Sequence, residues 1–134
     1  MAYLSSRSSK KVNFVLNLPQ DTEIILPINQ CLIEWTLENL SKNAIDAMGG
    51  IGTLTLDLTQ DYKRVFIDVS DTGKGMPKKQ FKKVFEAGFT TKERGWGMGL
   101  SLAKRIIEEY HHGKIYVKKS ELGVGTTFRI ELFW

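Results

Sequence analysis

Between residues 27 and 70 the apolar pattern switches from a helical period to a strand period, and that switch limits the folds open to this chain. Ile33, Leu37, Leu40, Ala44 and Ala47 recur at 4-3-4-3 spacing, which predicts an amphipathic helix over 27–48 with Pro27 in its first turn. Gly49 and Gly50 end it. Residues 53–59, Thr-Leu-Thr-Leu-Asp-Leu-Thr, alternate with period two and read as a strand. After a short turn at Gln60 and Asp61, Val65, Ile67 and Val69 form its hairpin partner over 65–70.

The remaining segments fit the same plan. A strand is predicted over 11–18, a turn over 19–21, a short second strand over 22–26 and a short helix over 77–85. Residues 88–97 read as a loop. Leu100, Ala103, Ile107 and Tyr110 mark a further helix, closed by His111-His112-Gly113, where a cationic imidazole suits the helix dipole. Strands over 114–118 and 126–132 finish the chain. Helices packed on one side of a hairpin-connected sheet give a two-layer α/β sandwich, with a mixed, mostly antiparallel sheet of about five strands and about three helices on one face. Residues 1–10 are small and polar, a disordered or cloning-derived segment, which leaves 11–134 as one domain.

Composition narrows the function. The single Cys31 excludes an intramolecular disulfide, fits a reducing compartment, and beside Leu32 and Ile33 reads as a buried helix position. No apolar stretch is long enough to span a bilayer and no signal peptide is visible, so direct membrane contact is not expected. The formal charge is +4. The lysines come in dispersed pairs with acidic residues among them, which argues against a nucleic-acid partner and for a modest field that attracts an anionic cofactor.

Three places carry candidate chemistry. Asn39 and Asn43 lie four residues apart on one helix face, beside the apolar stripe. Their amide oxygens suit Mg²⁺, which binds through few protein groups plus phosphates; a solvated helix face has the same composition. Asp71-Thr72-Gly73-Lys74-Gly75-Met76 places a carboxylate at a strand end, able to accept from an exocyclic amine, with glycines that let backbone pass close to a flat ligand. Taken alone, the motif is better explained as an ordinary turn. Gly95, Gly97 and Gly99 alternate directly before a helix, which suits phosphate, although the run matches neither Gly-x-Gly-x-x-Gly nor a P-loop.

In this order the segments resemble the GHKL ATPase/kinase superfamily. The segment from Glu38 to Ala47 is similar to its N box, Asp71 to Met76 to its G1 box, Phe85 to Lys92 to its F box, and Gly95 to Leu100 to its G2 box. Gly123-Val124-Gly125-Thr126-Thr127-Phe128 matches the closing Gly-Thr segment, and the F box with the helix after the glycines points to sensor histidine kinases. The resemblance covers about residues 12–132 and implies a Bergerat-type fold that binds Mg·ATP.

It also implies roles. Asn43 ligates Mg²⁺, Asn39 lies by the phosphates and Lys42 reaches toward them. Asp71 binds the adenine amine, Gly73, Gly75 and Met76 approach the base, and Thr126 supports Asp71 or a water there. Phe85, Thr90, Thr91, Lys92, Gly95, Gly97, Met98 and Gly99 belong to the F box and a mobile ATP lid, with Leu100 and Ser101 opening the helix under the phosphates. Hydrolysing relatives carry Glu where this chain has Asn39, and an amide cannot take a proton, so transfer to an acceptor is favoured over hydrolysis. No His precedes His111, so the phosphoacceptor histidine is expected on a separate upstream helical dimerisation domain of a kinase that signals to a response regulator; this domain is expected in the cytoplasm, whether or not the parent is membrane-anchored. The isolated domain is expected to be monomeric. Alternatives are a GHKL-type serine kinase and a catalytically silent nucleotide-sensing module.

Overall fold

A computed structural model of the chain describes residues 12–18, 28–86 and 99–133. The elements are β1 (Val12–Asn17), α1 (Gln30–Ala47), β2 (Gly52–Gln60), β3 (Arg64–Ser70), 3₁₀ turns at Lys78–Gln80 and Lys83–Phe85, α2 (Gly99–Arg105) continuing into a π-turn at Ile106–Tyr110, β4 (Lys114–Glu121) and β5 (Gly125–Phe133). The expected strand over 22–26 and the loop over 88–97 lie outside the described residues.

Five strands form one sheet in the order β1-β2-β3-β5-β4. Among the described residues only β1 and β2 run parallel; the other pairs are antiparallel. Register places Leu56, Val69, Phe128 and Val117 in one row across the sheet, and Leu58, Ile67, Ile130 and Ile115 in the next. These rows face the helices. All but Leu58 join Ile33, Leu40, Ala44, Ala103 and Ile107 of the helical layer in the apolar core, with Ile67 at its margin.

The α1 seam differs from its apolar stripe. Thr36 and Ser41 are fully buried between Ile33, Leu40 and Ala44, because the side of the helix that meets the sheet is wider than one line of large residues. Thr36 donates back to the Leu32 carbonyl at 2.9 Å, which explains how a hydroxyl tolerates that place. Cys31 is exposed and not buried as its neighbours suggested: two residues before Ile33 it is turned roughly 200° away from the seam. The helix also begins later than expected, because Asn29 caps it by accepting from the Leu32 N–H at 3.1 Å.

Two further expectations change. Residues 77–85 form separate 3₁₀ turns and no α-helix. Phe81 packs on the core and Val84 and Phe85 are buried, while the lysines between them face out. His111 is no dipole cation. Its Nε2 accepts from the Asn29 N–H at 3.0 Å, so Nδ1 carries the proton and donates to the Ile106 carbonyl at 2.8 Å. A neutral imidazole therefore ties the end of the π-turn to the start of α1.

The outer face of the sheet is polar but closely knit. Arg129 grips Asp68 with two bonds at 2.7 and 2.8 Å and lies over the Phe66 ring. Burial pushes the Asp68 carboxyl up, but Arg129, with Lys118 beyond it, outweighs burial and holds it below the usual carboxylate range. No described helix is long and apolar enough to cross a membrane.

Candidate nucleotide site

The site is built on α1. At its C-terminal end the Ala47 carbonyl accepts from the Lys74 N–H at 3.1 Å, and a side chain on Gly73 would meet that same oxygen at 2.6 Å. Two turns earlier, a side chain on Gly99 would meet the Asn39 amide oxygen at 2.6 Å. Asn43 stands between. The loop after β3 and the start of α2 thus rest on one helix, about 12 Å apart along its axis at 1.5 Å per residue. Two of the three candidate places must lack a Cβ for this closeness, which is what Gly73 and Gly99 supply.

Asp71 is the buried carboxylate of the loop. Its Oδ1 accepts from the Gly73 N–H at 2.9 Å and the Thr126 N–H at 3.2 Å. These two bonds orient the carboxylate and leave Oδ2 as the oxygen free of them. Burial pushes the carboxyl pKa up, partly offset by the same two N–H groups. The Asp71 N–H in turn donates to the Thr126 carbonyl at 2.9 Å, so Thr126 supports Asp71 through its main chain. The Thr126 hydroxyl is engaged elsewhere, with Ser120 Oγ at 2.7 Å.

The β4–β5 hairpin closes the loop from the other side. Gly75, at φ +70, lies so near the Glu121 carbonyl that no side chain fits, and the Gly123 N–H donates to the Lys74 carbonyl at 2.8 Å. Ser120 Oγ accepts the Met76 N–H at 2.8 Å. Gly125 presses on the Asp71 carbonyl in the same way. Sequence reasoning gave Ser120 no role and Ala47 only a place in the apolar stripe and the N-box segment, not a part in holding the loop. A serine at a strand end and an alanine at a helix end carry no signal of that part; only the fold shows that both hold the loop.

At the other end, Asn39 Nδ2 is buried without a hydrogen-bond partner among the described residues. A buried orphan donor costs about 1–3 kcal/mol, a cost that a bound anion would remove. Lys42 is exposed; Asn43, Leu100 and Ser101 are half-buried nearby on their helices. Phe85 is buried edge-on to Phe128, with centroids 6.0 Å apart. Thr90, Thr91, Lys92, Gly95, Gly97 and Met98 lie outside the described residues, as do Trp96 and Trp134.

Residues 30–133 match the family described as histidine kinase-, DNA gyrase B-, and HSP90-like ATPase. The chain belongs to that family. Sporulation kinase A of Bacillus subtilis is 33% identical over 96% of this chain, and the sensor histidine kinase WalK of the same organism 35% identical over 90%. The chain spans 21% of the length of each. The nucleotide-free catalytic domain of histidine kinase ThkA is 32% identical, with 92% of this chain and 79% of that one covered at a TM-score of 0.80. ThkA in complex with the response regulator TrrA matches 91% of this chain and 34% of that one, at 30% identity and a TM-score of 0.75. Within the family, the chain is an ATP-binding catalytic domain of the histidine kinase type.

Proposed function

We propose that residues 11–134 form the cytoplasmic catalytic domain of a sensor histidine kinase, binding Mg·ATP and passing its γ-phosphoryl group to a histidine on a separate helical dimerisation domain. The observation that carries this reading is the placement of Asp71 and Asn39 by one helix: a carboxylate with a free oxygen at one end, an orphan amide donor at the other, Asn43 between. Asp71 Oδ2 accepts the adenine amine. Asn39 Nδ2 donates to a phosphate oxygen.

The donor set fits magnesium. Asn43 offers a neutral oxygen beside the phosphate end, and Mg²⁺ takes few protein ligands when phosphates supply the rest. Bound there, the ion would neutralise charge on the triphosphate. Lys42, exposed on the same helix, adds positive charge at the rim. With Asn39 unable to accept a proton, nothing at that position activates water, and an imidazole acceptor needs no such base. Catalysis is then positioning and charge neutralisation. ThkA, solved with a response regulator, supports a two-component role for the parent protein. The isolated domain is proposed to be monomeric.

The test mixes this chain, γ-labelled ATP and Mg²⁺ with the parent's helical domain. Acid-labile label on a histidine of that domain is expected. Acid-stable label on serine would replace this reading with the serine kinase, and tight binding with no transfer would replace it with the silent module. Asn43→Ala should remove mainly the Mg²⁺-dependent part of ATP affinity, measured by calorimetry with and without EDTA.

A further inference from the structure

Most lysines are dispersed, but four lie within six residues, and the fold sets them on one shelf. Lys78, Lys79, Lys82 and Lys83 are all exposed on and between the two 3₁₀ turns, and none pairs with a carboxylate among the described residues. No acidic residue lies between Lys74 and Phe85. The shelf is not a floppy run: Phe81, Val84 and Phe85 anchor it in the core. It starts two residues after Met76, whose N–H is held by Ser120 in the adenine loop. Lys104 extends it onto α2, with its ammonium 5.9 Å from the Phe85 ring centroid. The positive charge therefore sits at the end of the sheet where β3 delivers Asp71.

We propose that this lysine shelf steers anionic nucleotide into the site, raising the association rate without contacting the bound ligand. The inference rests on the ATP reading above. Exposed ammonium groups keep their hydration, so they contribute a long-range field and little local affinity. Steered association gains about tenfold or more when the field is unscreened. With a Debye length of about 30 Å at 0.01 M salt, four charges beside the mouth should give roughly that tenfold gain, shrinking to about twofold where the length is about 8 Å.

The test is stopped-flow binding of a fluorescent ATP analogue with Mg²⁺, across ionic strength. Two double variants remove the same net charge. Lys78→Gln/Lys79→Gln changes the shelf. Lys63→Gln/Lys114→Gln changes exposed lysines at the opposite sheet end, about 20 Å away by strand rise. The shelf variant should associate about threefold more slowly at 0.01 M salt, with dissociation unchanged and a flatter salt dependence. The remote variant should stay near wild type. Equal slowing in both, or a shelf effect confined to dissociation, overturns steering. Wild type that binds no nucleotide overturns the ATP reading as well. If Asp71→Asn abolishes binding while the shelf variant associates normally, the base site stands and steering alone fails.

Discussion

Replacing Asp71 by Asn separates recognition from folding. In the wild type Oδ1 accepts two backbone N–H groups, from Gly73 and Thr126, at 2.9 and 3.2 Å. An asparagine keeps that oxygen and those bonds. What changes is the other atom, which becomes an N–H donor where the proposed reading puts the adenine amine, itself a donor. The variant loses a hydrogen bond to a charged acceptor, worth about 1.5–3 kcal/mol, and leaves an unpaired donor, costing about 1–3 kcal/mol. A combined loss of about 3–4 kcal/mol is a roughly 10²–10³-fold weaker Kd. Stability should move the other way. Burial raises the Asp71 pKa in the fold, so the stability linked to its protonated form is complete below the ordinary carboxylate pKa and lost as pH rises through the raised value. At neutral pH the ionised group opposes folding, and a neutral amide removes that opposition. Calorimetry with Mg·ATP and a thermal melt are the assays. A further signature is specificity, since the new donor faces O6 of guanine favourably and GTP should gain on ATP. Affinity within threefold of wild type refutes the adenine assignment. A Tm drop of more than about 5 °C, about 1 kcal/mol in a domain this size, refutes the claim that the amide preserves the loop.

Other perturbations probe the scaffold. Gly99→Ala should push the Asn39 amide from its place, lowering Mg·ATP affinity severalfold and costing about 1–2 kcal/mol in denaturant melts. Arg129→Gln leaves the nearly buried Asp68 with only Lys118 at 3.5 Å, and should cost about 2–4 kcal/mol. Because Asp68 is held below its ordinary pKa, that contribution is present above the unfolded value and lost as pH falls through the folded one, so wild type and variant should converge in acid melts. His111→Ala removes the tie between the π-turn and α1 and should cost about 1–2 kcal/mol, read by urea unfolding.

Much of this protein is decided by short-range rules that one sequence carries. The period switch around Gly49 and Gly50 gave α1 and the β2–β3 hairpin, since burying one face of a helix or a strand needs only local spacing. The ordered segments around Asn43, Asp71 and Gly99 identified the family for the same reason: each is a compact stretch with its own chemistry. What depended on partners distant in sequence was not legible. Register between β3 and β5 brings Thr126 beneath Asp71, and nothing local shows that its main chain, and not its hydroxyl, holds the carboxylate. Ser41 and Thr36 enter the seam because the sheet beneath α1 is broad, and His111 is neutral because Asn29, far upstream, donates to it. The glycines before α2 suggested phosphate from spacing alone, yet only packing shows why Gly99 must be glycine: the Asn39 side chain occupies the space where its Cβ would be. The sequence determined which groups this site contains. The tertiary structure decided how one helix sets them apart, because the distance between Asp71 and Asn39 is a property of the packing around α1 and of no single segment.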